Sequence, residues 1–363
     1  LDEFLEEEAT ESKVKPGILP EAAFEFLWYD PTVKERDLKE LPLSRYFEDL
    51  GLLQIRESWE RDSKVLTIKC GHPGGKKQWK TGWQLYRQEG IRCLALSHHH
   101  PDNLSYIFAR GGEYLTCEDG YNRNIMPDNH NVILVDGMYT DAKGVNDVYM
   151  SSVALRQQEQ TDQEIENSYV GDVTCFQVDG SVVIYKGETS GIYPRALSMK
   201  EVSRTLFTDG LNFWVFVDVC RSDEAHIYQL ISNTVPKAVK AKETGYLYPM
   251  QSGNIRYTVF SDKKVQEVLY DQDVVAVMTT QEPDKVCRSH IETLCTKSAE
   301  KVCNQIFFEC FTFDEENAQV EWNERTLRII CKGKKYEIRV DENQTEILIK
   351  KYTDAEEKSW IVR

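Results

Sequence analysis

The stretch SHHHPDNLSYIFARGG, Ser97 to Gly112, carries three of the chain's seven histidines in a row, followed by Pro101 and Asp102. Imidazole near neutral pH is a general acid or base and, when neutral, a ligand for zinc and similar ions. In an extended chain alternate side chains share a face. His98 and His100 then point one way and His99 the other. A His-x-His pair puts two imidazoles on one ion or one substrate. Two ligands hold zinc poorly, so a third must come from a neighbouring strand. LTCEDGY offers Glu118 and Asp119 at a strand end before Gly120, and DNHNVILVDG offers His130 at a strand start. Asp102 is placed to ligate, or to accept a histidine N–H from behind. The competing reading is a polar patch in which each histidine is hydrogen-bonded and no metal binds. His72, His226 and His290 lack such company and read as a loop residue, a strand residue and unassigned surface.

The elements that must position these residues are strands. Short runs rich in β-branched and aromatic residues recur, each bounded by Gly, Asp or Asn: KVLTIKC, IRCLALS, LSYIFAR, GEYLTCE, NVILVDG, DVTCFQV, SVVIYKG and others to TEILIKKY. KGKK around Gly333 and the Asp209-Gly210 pair read as hairpin turns. Helices are few. The pattern predicts an all-β chain, a large antiparallel β-sandwich. Ahead of it, residues 1–50 read as a short helical piece and a linker, with residues 51–363 forming the sandwich. ERDLKELPLSRYFEDLG belongs to that linker, interrupted at Pro42. GHPGGKKQWKTGWQ reads as a Gly-rich basic loop, solvated on the preferred reading; the functional alternative is a glycan-facing lid in which Trp79 and Trp83 stack on sugar rings and Lys76, Lys77 and Lys80 meet anions.

The chain's 363 residues are enough for a well-buried core, and 41% are hydrophobic, a globular composition. No apolar run approaches the roughly 18–20 residues that span a bilayer, so no membrane partner is expected. The 44 basic and 60 acidic residues leave a net charge of −16, against nucleic acid as the partner. The ten cysteines include no CxxC pair, against a zinc ribbon. Cys70, Cys93, Cys117, Cys175, Cys220 and Cys310 lie in strand-like runs and read as buried thiols. Cys287, Cys295 and Cys303, in a polar stretch, are the disulfide candidates in an oxidising compartment. Reduced cysteines favour a cytoplasmic location; a removed leader would make it periplasmic or secreted.

HHHPDNLSYIFARGGEYLTCEDGY followed by HNVILVDG resembles the C-terminal β-sandwich of the heparinase II/III-like polysaccharide lyases. FLWYDP, LPLSRYFEDLGLLQIRESWERDSKVLTIKCG and SRTLFTDGLNFWVFVDV extend the resemblance, in order, over Phe24 to Leu230. It implies a super-sandwich preceded by the remnant of an (α/α) toroid, with the toroid itself missing from this chain. It implies β-elimination on uronate-containing acidic polysaccharides or oligosaccharides, in which a base takes the C5 proton and the oxygen at C4 leaves. Carried over by position, His98 matches the catalytic histidine that reaches the cleft. His100 and His130 match zinc ligands, and the aspartate ligand falls on Glu118, with Asp119 the alternative. The family's catalytic Tyr belongs to the toroid, and neither Tyr86 nor Tyr121 matches it. Trp79, Arg92, Tyr121 and Arg123 are expected to bind substrate, and Arg87 and Arg110 could add positive charge; for Arg110 a solvated strand edge is the preferred reading.

Two other classes compete. One is a non-catalytic glycan-binding or scaffold sandwich that keeps a structural zinc, as loss of the toroid would favour. The other is a cupin-type metal enzyme, which wants a Glu where Asn103 and Leu104 stand. The acidic pI of about 5.0 sits better with short oligosaccharides than with long polyanions.

Overall fold

The computed structural model describes residues 26–34, 36–90, 100–118, 127–139, 166, 170–240, 245–276 and 287–363. The chain divides into two units, Leu1–Pro42 and Leu43–Arg363. In the first, a 3-10 turn over Leu38–Glu40 is capped by Asp37, whose side chain accepts from Lys39 N at 2.9 Å.

The second unit is built of antiparallel sheets, in agreement with the all-β sandwich expected. Sheet one holds β1 (Ser44–Phe47), β2 (Leu52–Arg56), β3 (Lys64–Lys69), β4 (Tyr106–Arg110), β5 (Glu113–Thr116) and β6 (Ile133–Val135). Sheet two takes β7 (Asp172–Asp179), β8 (Val182–Glu188), β9 (Met199–Asp209) and β10 (Phe213–His226). The chain then returns to sheet one as β11 (Tyr228–Thr234). It adds β12 (Val239–Lys240), β13 (Tyr246–Tyr248) and β14 (Ile255–Ser261) to sheet two. Next come β15 (Val265–Ala276) and β16 (Cys287–Ser298) in sheet one and β17 (Val302–Phe313) in sheet two. Sheet three is a meander of β18 (Gln319–Asn323), β19 (Thr326–Cys331), β20 (Lys334–Val340), β21 (Ile347–Tyr352) and β22 (Glu357–Val362).

The spatial orders are β1-β2-β3-β4-β5-β11-β16-β15, with β6 on β11; β12-β13-β14-β17-β10-β9-β8-β7; and β18 to β22 in sequence. Sheet two is the middle layer, and its strands show why. On β10, Trp214, Phe216 and Cys220 pack with residues of sheet one, while Phe213, Val215, Val217 and Val219 pack with residues of sheet three. A strand buried on both faces needs apolar residues at successive positions, which is what FWVFVDVC supplies. Outer strands alternate instead. On β3 the side chains of Leu66 and Ile68 enter the core, and those of Val65, Thr67 and Lys69 are half-buried on the opposite face.

Two expectations need correction. The segment after Gly75 is a helix, α1 (Lys76–Glu89), not a loop. Trp79, Trp83 and Tyr86 fall at i, i+4 and i+7 and form one stripe, with rings 6.0 and 5.8 Å apart. The helix begins where Asp49, from the β1–β2 turn, accepts from Lys77 N through Oδ1 at 2.9 Å and from Lys76 N through its main-chain oxygen at 2.8 Å. It ends at Gly90, at φ 68°. Second, Ser44–Phe47, read as linker, is an edge strand of sheet one, so the sheet begins ahead of residue 51.

Both hairpin turns are where the sequence puts them. Lys332 and Gly333, at φ 48° and 72°, join β19 to β20, and Gly210 and Leu211 lie at positive φ between β9 and β10. Among the described residues, no helix is long and apolar enough to cross a membrane. Cys70, Cys117, Cys175, Cys220, Cys295, Cys303, Cys310 and Cys331 are free thiols.

Candidate active site

Sheet one gathers the site. β5 pairs with β4 at Phe108↔Thr116 and with β11 at Thr234↔Thr116, and β6 pairs with β11. The segments just before β4, just after β5 and just before β6 therefore meet at one end of the sheet. They carry His100 and Asp102, Glu118, and His130.

His130 is fully buried, its ring centroid 5.2 Å from that of His100, edge to face. Its Nδ1 lies 3.3 Å from Glu118 Oε1, yet neither ring nitrogen has a hydrogen-bond partner. Burial works against a charged His130, but the carboxylates of Glu118 and Asp102 outweigh it and lift its pKa above the ordinary imidazole value. Burial, and after it the neighbouring His130, push His100 the other way. Asp102 takes both oxygens to Lys69 Nζ, at 2.7 and 2.8 Å. Burial alone would raise that carboxyl; Lys69 and the imidazoles hold it below its usual value.

The loops are fixed from beneath. Ser105 Oγ donates to the Glu118 carboxylate and accepts from Asn131 N at 3.0 Å. Asn131 Nδ2 donates to Tyr106 O at 2.7 Å, and its Oδ1 accepts from Asn233 N at 2.6 Å, tying β4 to β11. Under both lies Arg204 of β9, fully buried. Its Nη1 donates to the main-chain oxygens of Leu104 and Asn131, each at 2.8 Å. Its other nitrogens meet Asp218 at 2.8 and 3.0 Å and Glu309 at 2.9 Å. Leu104 sits at φ 71°, a conformation a branched residue holds only under constraint, and Arg204 supplies part of it.

Of the expected site residues, the structure brings His100, Glu118 and His130 together. His98, Arg92, Tyr121 and Arg123, with Asp119, lie outside the described residues. Trp79 does not present a stacking face. It is 3% exposed on the inner stripe of α1, and its Nε1 donates to Glu166 O at 3.0 Å. Arg87 pairs with Glu166, and Arg110 pairs with Glu315. Among the described residues, no group of three His, Cys, Asp or Glu side chains is arranged to hold a metal ion. The donors are nevertheless of the right chemistry. Two imidazoles and a carboxylate suit zinc, and His130 Nε2, buried with no hydrogen-bond partner in the protein, is costly to leave so without a ligand.

Sequence reasoning missed Ser105, Asn131, Lys69 and Arg204. A signal for the last existed: SRTLF, VDVC and FFECF each set one charge inside an apolar strand, and the three charges are one cluster.

No protein-family model matches the sequence. Solved structures do. A heparinase III gene product superposes over 100% of this chain and 48% of its own, at TM-score 0.59 and 14% identity. A second heparinase III structure covers 88% of this chain and 42% of its own, at 0.57 and 12%. The heparan sulfate lyase HepC from Pedobacter heparinus covers 99% and 48%, at 0.55 and 10%. The chain shares the fold of the matched part of these structures. It spans just under half the length of these structures.

Proposed function

We propose that this chain is the sandwich part of a polysaccharide lyase that cleaves uronate-containing acidic glycans by β-elimination. The observation that carries it is the meeting of His100, Glu118 and His130 on three segments of a heparinase III-like fold, with His130 buried and its Nε2 without a hydrogen-bond partner. In elimination the hard step is removing a weakly acidic C5 proton, so charge on the uronate carboxylate must be neutralised and the leaving oxygen protonated. His98, two residues ahead of His100, is the group assigned to the substrate. His100, Glu118 and His130 would hold zinc, which when bound pins the three segments and adds positive charge beside the cleft. Asp102, held by Lys69, orients the imidazoles from behind. Ser105 holds the Glu118 carboxylate in place.

The test is the unsaturated uronate product, followed by ultraviolet absorbance, from the complete enzyme that carries this sandwich and from its His98→Ala variant, with acidic oligosaccharides of several linkages. Product from the first and none from the second is expected. Equal turnover removes His98 from the mechanism. No product from either overturns the lyase reading for this chain.

A further inference from the structure

On the outer face of sheet one, away from the core, lies a groove of about 430 Å³. Its floor follows the strand register. Arg56 of β2 stands opposite Val65 of β3, Val65 opposite Ala109 of β4, and Ala109 opposite Tyr114 of β5. Two small side chains therefore separate an arginine from a tyrosine across roughly 14 Å, three strand spacings. The next row, Gln54, Thr67 and Ile107, continues the floor. Arg61 lines the arginine side of the groove, and Glu60 is the one carboxylate among its lining residues.

The chemistry of the walls is specific. The Arg56 guanidinium lies over the Trp59 ring, 4.1 Å from its centroid. Its Nε is buried and has no hydrogen-bond partner. A guanidinium stacked on indole has one face occupied, which leaves its terminal N–H groups as the ones that would take an anion. Tyr114 is 54% exposed although it sits within a sheet, a ring surface for an apolar sugar face.

The groove also has a direction. Val65, Thr67 and Lys69 share the outer face of β3, and Lys69 is the residue that binds Asp102. Roughly 13 Å along that strand leads from the Arg56 row to the histidine cluster. At the other end the β4–β5 turn is Gly111-Gly112, both at positive φ, so no side chain closes it.

We propose that this groove is a subsite for an acidic saccharide. Arg56 takes an anionic substituent, Tyr114 stacks on a ring, and β3 leads the chain toward His100. The inference deepens the lyase reading and rests on it for the ligand's class.

The experiment is calorimetric titration of the chain with a uronate-containing oligosaccharide, its sulfated form, and a neutral oligosaccharide of equal length. Arg56→Ala and Tyr114→Ala are compared with Arg339→Ala, an exposed arginine on sheet three. Both side chains are at least partly exposed, so melting temperatures should stay near that of the unaltered chain. The groove predicts binding of acidic ligands and not the neutral one, and at least about tenfold weaker affinity in both groove variants. Arg339→Ala should bind normally. A stronger response to the sulfated form would name sulfate as the anion Arg56 takes, and an equal response the carboxylate. Unchanged affinity in both groove variants overturns the groove and leaves the lyase reading intact. Equal binding of the neutral ligand, or no binding at all, also overturns it, while the unsaturated product decides the lyase reading separately.

Discussion

Arg204 donates from Nη1 to the main-chain oxygen of Asn131 at 2.8 Å, one residue after His130. The same nitrogen holds Leu104, just after the Asp102 loop. A buried cation in the middle sheet thus grips the backbone of two of the three segments that bring the candidate ligands together. Arg204→Met should leave Asp218 and Glu309 buried without their cation. The expected cost is about 3–5 kcal/mol, read by denaturant unfolding. A loss under 1 kcal/mol would show that the network does not carry that charge.

Glu309 gives the network a pH signature. Burial, with Asp218 nearby, pushes its carboxyl up to about 7 despite Arg204, from an ordinary value of 4.5. The unfolded chain therefore releases this proton first as pH rises. Glu309 should cost stability progressively from about pH 4.5 to 7 and add nothing further above that. Glu309→Gln should flatten this part of the stability profile; an unchanged slope would assign it elsewhere.

Asp209 works in the opposite sense. It closes β9 and reaches sheet three, with Oδ2 at 2.7 Å from Tyr336 Oη and 2.8 Å from Lys351 Nζ. Burial alone would raise it, but bonds from Lys351, Ser181 and Tyr336 hold its carboxyl down at about 2. Its contribution is complete above the ordinary 3.8 and is lost as pH falls toward 2. Asp209→Asn should cost about 1–3 kcal/mol at pH 7 and much less at pH 2, by thermal unfolding at both. An equal cost at both would make the carboxylate's charge irrelevant.

The zinc proposal predicts about one zinc per chain after tag-free purification, by elemental analysis, and none in His130→Ala. Chelator should lower the melting temperature of the unaltered chain only. No metal in either protein would leave the histidines as a polar cluster.

For α1, Trp83→Ala should cost about 3–5 kcal/mol by cavity formation, and Asp49→Ala about 0.5–2 kcal/mol by loss of the cap. Trp79→Ala should lower stability and leave saccharide affinity unchanged. Lost affinity with stability intact would restore Trp79 to the binding surface.

Where one sheet face meets solvent, period-two alternation made strands such as KVLTIKC legible. Where both faces are buried, as in FWVFVDVC, the unbroken apolar run marked the element but not its partners. α1 was hidden because its cap, Asp49, comes from another element, and because Gly74 and Gly75 resemble a loop. The Trp79, Trp83, Tyr86 spacing was the available clue. In the site, the histidines and Glu118 were legible as residue types at strand ends. Arg204 was not assigned, since its importance lies in register: it stands opposite Asp218 on β10, with Glu309 on β17 facing the same core. Such pairings join positions far apart in sequence.

Sheet three has a consequence for how the protein is made. Its strands are sequence neighbours, so their pairing is local and fast. Sheet one closes only when β16 reaches β11 and β5 has found β11. A ribosome will therefore have released most of the chain before the long-range pairs can zip, and the exposed Val215 face of β10 must wait for the last five strands. A nascent chain stopped at residue 318 would display that apolar face, and quality-control proteases and chaperones would meet it first.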